Sequence, residues 1–348
     1  MKAAVLNSKK NISIEEKTSP KLLHPRDVII KVTLTSICGT DMHPYRGQLK
    51  DFTYGSIMGH EFTGIIEEIG SDVKDYCIGD RVVVSDIIAC GECWYCKKEL
   101  HYHCENASLF GYGEVVGEYF PGGQAERVRV PFADQVLIKI PDKLSDEKAI
   151  FVGDILSTGY ACAIEANIKE GDCVLVIGGG PVGLMAVLSA QLFRPSKIFV
   201  VEPNVDRHEI AKIIGAHPIT PQQMSIVIDY TEKRGVDVVL EAVGTDSALQ
   251  TAFDIIRSKG NVVCVGAHHS KQMPFNTENA FAKELSLKFI VGNPLKYGAI
   301  LLEKIKGGDL DPSIIISHRL EFKDIEKAYE MFDSQKALKI VLNLEKVE

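Results

Sequence analysis

Four cysteines within fifteen positions are the residues of this chain best suited to binding a metal. They are spaced C-x2-C-x2-C-x7-C, at Cys90, Cys93, Cys96 and Cys104. Two-residue gaps let neighbouring sulfurs reach one ion, and four thiolates complete a tetrahedral zinc site. The intervening Glu92, Lys97 and Lys98 make the segment too polar for a core of buried thiols. We therefore predict a structural zinc site, with an iron–sulfur cluster as the alternative, and any catalysis must use other residues.

A glycine-rich segment at residues 178–183 matches the pattern G-x-G-x-x-G. It follows an apolar run that predicts a strand, and it precedes an apolar stretch that predicts a helix. Glycine permits a tight turn here and lets backbone N–H groups approach a pyrophosphate at the helix N-terminus. The residues expected to bind a dinucleotide are Gly178, Gly180, Pro181, Val182 and Gly183.

The acidic residue Glu202 determines which dinucleotide we expect. It ends the second predicted strand of this region, about twenty residues after the glycine turn. A carboxylate at this position accepts hydrogen bonds from ribose hydroxyls and repels a 2′-phosphate. Arg207 and His208 lie nearby and soften that repulsion. The pattern favours NAD over NADP.

The 348 residues are enough for two domains. Residues 1–150 contain short apolar or alternating runs between Gly, Asp and Pro, which predicts a β-rich unit. Its predicted strands cover residues 3–6, 28–34, 64–69 and 81–84. After Asp154, strands alternate with helical patterns, which indicates βαβ units in an open parallel sheet. The strands predicted there cover residues 174–177, 197–201, 236–240, 261–265 and 287–291.

The ends of two later segments can also be predicted. Asp206 is the expected cap of a helix that Gly215 ends. From about Lys296 the chain returns to short elements that can rejoin the first domain. These are a helix at residues 298–305, a turn at 307–309, a helix near 325–332 and a strand at 339–344.

Charge and composition bear on whether nucleic acid is a partner and on the cellular compartment to expect. The formal net charge is -8 and no basic tract occurs, so nucleic acid is not an expected partner. The first residues lack the pattern of a signal peptide, and the odd number of cysteines does not suggest a disulfide framework. We therefore expect a reducing cytoplasm. Residues 174–193 are long enough to cross a bilayer, but their glycines favour a strand, a turn and a helix.

Three further segments resemble parts of the zinc-dependent medium-chain alcohol dehydrogenases. Residues 59–73 follow G-H-E-x2-G-x5-G-x2-V, which is similar to the zinc signature of that family. Residues 38–43, CGTDMH, resemble the segment with the first zinc ligand and the proton relay. Residues 154–160, DILSTGY, resemble the segment with the third ligand. With the cysteine loop and the glycine turn in the same order, the resemblance covers essentially the whole chain. The formaldehyde-dehydrogenase-like branch and the bacterial secondary-alcohol or polyol branch are the most similar.

The resemblance implies an α/β fold with a β-rich GroES-like catalytic domain and a doubly wound Rossmann dinucleotide-binding domain. Residues 1–154, completed by 296–348, would form the first domain, and residues 155–295 would form the second. It further implies a homodimer or homotetramer with two zinc ions per chain. The expected substrates are small alcohols or carbonyl compounds.

The resemblance also implies the ligands of a catalytic zinc. Cys38 and His60 would bind the ion together with Asp154, at a position where many members have a second cysteine and others a carboxylate. Glu61 would tune the metal or act as a transient ligand. Each of the three ligands has an ordinary alternative: a buried thiol, a turn histidine and a helix cap. Their joint spacing favours the metal site.

The implied reaction uses zinc to lower the pKa of an alcohol oxygen before hydride passes to the nicotinamide. Thr40 would take the proton first, and His43 would be the outer relay base unless it is a surface histidine. Thr158, Val265 and Gly266 would hold the nicotinamide.

Asp86 and the substrate leave several possibilities open. Asp86 falls where relatives place a residue of the pocket wall, and an acid there favours a polyol, but an exposed loop aspartate is the alternative. Two other functions are a zinc-free quinone reductase of the same fold and a zinc-stapled NAD-binding sensor without turnover. Secondary alcohols and polyols are favoured over formaldehyde-type and amino-alcohol substrates.

Overall fold

A computed structural model describes residues 1–272 and 275–344 of the chain. The chain divides into two compact units. Unit 1 comprises Met1–Asp154 and Asn293–Glu348, and unit 2 comprises Ile155–Gly292. Among the described residues, no helix is long and apolar enough to span a membrane.

The described residues include eighteen strands, most of them short. In chain order the strands are β1 (Lys2–Ser8), β2 (Asn11–Glu16), β3 (Val28–Ser36), β4 (Ser56–Ile57), β5 (Phe62–Ile69), β6 (Arg81–Val84), β7 (Ile87–Ile88), β8 (Ser108–Leu109), β9 (Arg127–Val130), β10 (Leu137–Lys139), β11 (Cys173–Ile177), β12 (Lys197–Val201), β13 (His217–Ile219), β14 (Val236–Glu241), β15 (Ile256–Cys264), β16 (Ser286–Phe289), β17 (His318–Glu321) and β18 (Ile340–Asn343).

The helices are longest in unit 2 and in the C-terminal part of unit 1. They are α1 (Met42–Tyr45), α2 (Trp94–Lys97), α3 (Ala133–Val136), α4 (Asp146–Ala149), α5 (Ile155–Glu165), α6 (Pro181–Gln191), α7 (His208–Ile213), α8 (Ser225–Tyr230), α9 (Asp246–Ile255), α10 (Thr277–Ala282), α11 (Pro294–Gly307) and α12 (Ile325–Asp333). Short 3-10 turns add to them at His101–His103, Ile150–Gly153, Val205–Arg207, Pro221–Gln223, Pro312–Ile315 and Phe322–Asp324.

Unit 1 is built around a mainly antiparallel sheet with the order β10-β6-β5-β3-β18-β17, and β9 also pairs with β3. Strand β3 is rich in Val, Ile, Leu and Thr and is buried along almost its whole length, which suits the centre of a sheet. The late strand β18 pairs antiparallel with β3, so the C-terminal segment completes this sheet. Helix α12 buries one face, with Ile325, Ala328 and Tyr329 in the same core as Phe62.

Unit 2 is a six-stranded sheet with the order β13-β12-β11-β14-β15-β16. Its pairs are all parallel. The central strand β11 has the sequence CVLVI, and all of it is buried, as expected for a parallel strand covered on both faces. The chain order reverses between β11 and β14, and ligands of such sheets bind at the carboxyl ends of the strands at this reversal.

The predicted strands of both units are confirmed in position, with changed ends. Two predictions were wrong in detail, and eight short strands were not predicted. The unpredicted strands are β2, β4, β7, β8, β9, β10, β13 and β17, and the strand expected at residues 287–291 lies at Ser286–Phe289. Asp206 does not cap a helix. Instead, the Asn204 side chain accepts a hydrogen bond from the Asp206 N–H at 3.0 Å, since an Asn side chain can bond the backbone two residues on. Gly215 follows α7 with a φ of 84° and ends it as expected.

Candidate metal centres and dinucleotide turn

The four predicted cysteine ligands meet in unit 1, on the segment between β7 and β8. Their sulfur atoms all lie within 4.8 Å of one another. The Sγ atom of Cys90 is 4.0 Å from that of Cys96 and 3.6 Å from that of Cys104. Four thiolates bound to one zinc ion at about 2.3 Å lie about 3.8 Å apart. The group therefore fits tetrahedral zinc.

Backbone N–H groups donate to two of these sulfurs and favour the thiolate form there, although burial raises the pKa of Cys104. The Cys96 N–H donates to Cys93 Sγ at 3.5 Å, at the start of α2. The N–H groups of Cys90 and Asn106 both donate to Cys104 Sγ at 3.3 Å. The hydrogen bond from Cys96 is the main cause that lowers the pKa of Cys93 to about 6. A thiolate is the form of cysteine that binds zinc.

Three residues that are far apart in the sequence form a second group in unit 1. Cys38 follows β3, His60 precedes β5, and Asp154 follows the turn Ile150–Gly153. Asp154 Oδ2 lies 3.4 Å from Cys38 Sγ and 3.4 Å from His60 Nε2. All three ligand atoms lie within 4.8 Å of one another, and all three residues are buried. These separations fit donors that share one ion at about 2.0–2.3 Å.

The chemistry of this group also fits a cation. Both ring nitrogens of His60 are buried and face carboxylate oxygens, Asp41 Oδ1 at 3.2 Å and Asp154 Oδ2 at 3.4 Å, and neither contact has the geometry of a good hydrogen bond. Burial raises the pKa of the Cys38 thiol to about 11, so a thiolate here needs a positive charge beside it. A zinc ion would supply that charge and take a nitrogen of His60 as a ligand.

Asp41 orients two of these residues and was not predicted from the sequence. It is fully buried, and its Oδ2 accepts a hydrogen bond from the Cys38 N–H at 2.9 Å. Its Oδ1 lies 3.2 Å from His60 Nδ1. A carboxylate beside the remote ring nitrogen fixes the tautomer and plane of a metal-binding histidine. Its position three residues after Cys38 was the available signal.

Glu61 lies next to the group and is held by an unpredicted lysine. Both Glu61 and Lys339 are 0% exposed, and the Lys339 ammonium pairs with Glu61 Oε2. Lys339 Nζ also donates to the Ile37 carbonyl at 3.0 Å, and the Ser36 hydroxyl donates to the same Glu61 oxygen. Glu61 does not belong to the group formed by Cys38, His60 and Asp154. These contacts favour a tuning role for Glu61 over that of a permanent ligand.

Asp86 is buried, so the alternative of an exposed loop aspartate was wrong. It is 4% exposed and follows β6, and its Oδ2 accepts a hydrogen bond from the Tyr102 hydroxyl. Burial and the negative charge of Asp154 raise the pKa of its carboxyl well above the usual range. Its N–H donates to the Gly153 carbonyl at 2.9 Å, so the backbone of Asp86 lies against the segment that carries Asp154.

The two expected proton-relay residues lie on the short segment after Cys38. Thr40 is half-buried in the turn before α1, and its carbonyl accepts a hydrogen bond from the His43 N–H at 3.2 Å. The His43 ring lies in α1 with Nδ1 3.0 Å from Gln48 Oε1. The structure does not bring His43 into the group of three ligand atoms.

The glycine turn of unit 2 has the predicted strand–turn–helix context. It connects β11 to α6, and Gly178 has a φ of +99°, a conformation that favours glycine. A Cβ on Gly183 would lie 1.9 Å from the Gly178 carbonyl oxygen, so only glycine fits there. Gly180 is the N-cap of α6, and Pro181 and Val182 begin the helix. The free N–H groups of this helix start suit a pyrophosphate.

Glu202 directly follows β12, and its side chain lies next to this turn. Its Oε2 accepts a hydrogen bond from the Gly179 N–H, and its Oε1 accepts one from the Asn204 N–H, both at 2.8 Å. Arg207 Nη1 lies 3.4 Å from the same carboxylate. His208 Nε2 lies 2.8 Å from the Glu202 carbonyl oxygen. The acid and the glycine turn therefore form one local structure.

The three residues expected to hold the nicotinamide also lie in unit 2. Thr158 is in α5. Its hydroxyl oxygen lies so close to Gly292 that a Cβ added to this glycine would be only 2.2 Å away. Val265 and Gly266 follow β15, and their N–H groups donate to the Glu241 carbonyl at 2.8 and 3.1 Å.

Comparison with known proteins identifies the family. Residues 24–142 match the model of the alcohol dehydrogenase GroES-like domain, and residues 181–306 match that of zinc-binding dehydrogenases. The chain is 33% identical over 353 residues to zinc-type alcohol dehydrogenase B of Aspergillus flavus, covering 98% of this chain and 81% of that protein. The chain belongs to the zinc-dependent medium-chain alcohol dehydrogenase family. It is also 39% identical over 292 residues to a medium chain reductase/dehydrogenase of Acremonium sp, covering 81% of this chain and 98% of that protein.

A solved structure agrees with this family. The alcohol dehydrogenase TADH from Thermus sp. ATN1 superposes with a TM-score of 0.95 at 39% identity, covering 99% of each chain. The protein is therefore an oxidoreductase with a GroES-like domain and a Rossmann-type domain. Its family uses zinc, a nicotinamide cofactor and small-molecule substrates.

Proposed function

We propose that this enzyme transfers hydride between NAD and a secondary alcohol or polyol, with two zinc ions per chain. The observation that carries the proposal is the meeting of Cys38, His60 and Asp154, separate from the four cysteines. Three protein donors on a tetrahedral ion leave one position for the substrate oxygen, whereas four thiolates leave none. The three-residue group is therefore the proposed catalytic site, and the cysteine loop is the proposed structural site.

The residues around the catalytic group would each perform a defined task. When bound, zinc polarises the alcohol oxygen and makes its proton easier to remove. Asp41 holds the His60 ring, and Lys339 holds the Glu61 carboxylate near Asp154. Thr40, two residues after Cys38, would take the proton from the alcohol, and His43 would pass it to solvent. One thiolate and one carboxylate balance the two charges of the ion.

Glu202 supports the choice of NAD. Its carboxylate lies against the glycine turn, where it accepts the Gly179 N–H. A 2′-phosphate placed there would meet a negative charge, while ribose hydroxyls would find an acceptor. Arg207 partly neutralises the carboxylate at 3.4 Å, so we propose a preference for NAD instead of absolute exclusion of NADP.

The edge of the unit 2 sheet supports a homodimer. Strand β16 is at one end of the sheet order, and among the described residues no strand pairs with its outer side. Phe289 is 59% exposed and Val291, just beyond the strand, is 51% exposed. An unpaired edge with exposed apolar side chains suits a second copy. Phe289→Glu should therefore shift the protein to monomer in light scattering, while Glu278→Lys on α10 should not.

The decisive test combines a substrate screen with Asp154→Asn. The wild-type enzyme should reduce NAD with secondary alcohols or polyols and should contain two zinc ions per chain. Asp154→Asn should bind NAD normally, because the glycine turn is in unit 2. It should lose about one zinc and at least about 10-fold in turnover, since even outer partners of a metal contribute that much.

The matched control is Asp142→Asn, which changes an exposed carboxylate of unit 1 and should alter neither property. Normal turnover with both zinc ions in Asp154→Asn would contradict the proposed ligand set. Glu61 would then be the first residue to test as a ligand.

A further inference from the structure

A further group of metal-binding side chains lies in unit 2, apart from the two groups of unit 1. Glu241 ends β14, Cys264 ends β15, and His268 follows β15 by four residues. Glu241 and Cys264 are direct partners in the parallel pairing of the two strands, so their side chains leave the sheet on the same face. The ligand atoms of all three residues lie within 4.8 Å of one another. The carboxyl ends of two neighbouring strands therefore bring a carboxylate, a thiol and an imidazole together.

This group has the same three kinds of donor as the proposed catalytic group. His268 Nε2 lies 3.0 Å from Glu241 Oε2. The corresponding distance in the catalytic group, from His60 Nε2 to Asp154 Oδ2, is 3.4 Å. Thiolate, imidazole and carboxylate are all zinc donors, and three of them at these separations can share one ion at about 2.0–2.3 Å. The group in unit 2 thus fits zinc by the same geometric criterion.

The surrounding contacts orient the carboxylate and leave an entry for an ion. Glu241 Oε1 accepts the N–H groups of Val243 and Gly244 at 2.7 and 2.8 Å, while Oε2 lies toward His268. Hydrogen bonds of this kind hold a metal-binding carboxylate in one orientation. Glu241 and Cys264 are buried, whereas 16% of the His268 side chain is exposed. An ion from solution can therefore reach the group past the imidazole.

The same residues hold the segment that is expected to contact the nicotinamide. The N–H groups of Val265 and Gly266 donate to the Glu241 carbonyl at 2.8 and 3.1 Å, and Val265 directly follows Cys264. A bound zinc ion adds two positive charges and converts the Cys264 thiol to a thiolate, so the group gains one positive charge. That charge disfavours the positive ring of oxidised NAD more than the neutral ring of NADH.

We propose that Glu241, Cys264 and His268 form a third zinc site, which fills when zinc is in excess and then weakens the binding of oxidised NAD. The site is weaker than the catalytic one, because zinc must replace an existing hydrogen bond between His268 and Glu241, whereas His60 has no good hydrogen bond to lose. The effect on NAD rests on the proposed function, which places the nicotinamide at Val265 and Gly266.

The first measurement is the zinc bound per chain, by equilibrium dialysis of the purified enzyme at increasing free zinc. The wild type should rise from two ions to three. His268→Gln should bind the third ion at least about 10-fold more weakly, the loss seen even for outer partners of a metal. Glutamine can still donate to Glu241, so this variant should melt like the wild type without added zinc. Cys264→Ala should also lose the third ion, and the matched control His217→Gln, on an exposed histidine of β13, should keep it.

Cofactor binding provides the second measurement. Filling the third site of the wild type should raise the Kd of oxidised NAD about 10-fold, the effect of one charge about 10 Å away inside a protein. The Kd of NADH should change less. In His268→Gln, the same zinc concentration should change neither value.

Each other outcome has a clear meaning. A wild-type enzyme that binds only two ions in excess zinc would overturn the site. Retention of the third ion in both His268→Gln and Cys264→Ala would assign it to other groups and overturn the site as well. A third ion that leaves the Kd of oxidised NAD unchanged would overturn the effect on the cofactor. Failure of the proposed function would appear separately, as absence of alcohol oxidation without excess zinc.

Discussion

Replacing Lys339 by Met should strongly destabilise unit 1. Lys339 precedes β18, Glu61 precedes β5, and both side chains are completely buried. The ammonium also donates to the Ile37 carbonyl at 3.0 Å. Methionine has a similar length and apolar stem, so Lys339→Met removes the charge with little change in packing. The variant leaves the Glu61 carboxylate buried without its cation.

Removing one partner of a buried ion pair typically costs about 3–5 kcal/mol. A domain of about 200 residues, the size of unit 1, loses about 2–4 °C in melting temperature for each kcal/mol. We therefore expect Lys339→Met to melt roughly 10 °C below the wild type in circular dichroism. The Glu61→Gln/Lys339→Met double variant should recover much of the loss, because it leaves neither charge unpaired.

The control for this experiment is Lys148→Met, which breaks the ion pair with Asp311. Those side chains are 39% and 51% exposed, and such surface pairs contribute at most about 1 kcal/mol. A loss in Lys339→Met no greater than in Lys148→Met would refute the argument. Additive losses in the Glu61→Gln/Lys339→Met variant would show that the two residues do not stabilise each other.

Three further predictions follow from other parts of the chain. Cys96→Ser should release one zinc and lower the melting temperature, because metal binding is coupled to folding; full metal content would contradict the structural site. Glu202→Ala should narrow the preference for NAD in steady-state kinetics, whereas a wild-type enzyme that prefers NADP would contradict the role of Glu202. Although burial raises the pKa of Asp333, hydrogen bonds from Lys10 and Arg46 lower it overall. Its contribution to stability should therefore be present above about pH 4 and lost as the pH falls through the lowered pKa, so the difference in melting temperature between Asp333→Asn and wild type should shrink as the pH falls below about 4; a constant difference would contradict this.

The sequence predicts best those sites whose residues lie close together along the chain. The four cysteines meet within one loop, so their spacing alone indicates the group. The glycine turn and Glu202 likewise lie within a single βαβ unit. The alternating strand and helix pattern of that unit predicts that they are close to each other. Strand β13 could not be predicted in this way because it has three residues, one of them proline, which provide no alternation.

The surroundings of the proposed catalytic group could not be predicted, because they depend on pairing between distant strands. Lys339 reaches Glu61 only because β18 pairs with β3, which pairs with β5. A lysine near the end of a chain is ordinarily exposed, and no local pattern marks this one as buried. Tyr102 raises the same difficulty. It lies in the cysteine loop, and its hydroxyl reaches the Asp86 carboxylate only in the folded unit.

The two zinc groups proposed in unit 1 therefore differ in how they depend on the fold. In the cysteine loop, the N–H groups that donate to the sulfurs come from the same short segment. The catalytic group takes its ligands from the ends of β3, β5 and a later turn, and its support from Asp41 and Lys339. Correct pairing of the central sheet is thus a condition for the catalytic site. Substitutions in that sheet can remove activity while the structural zinc remains bound.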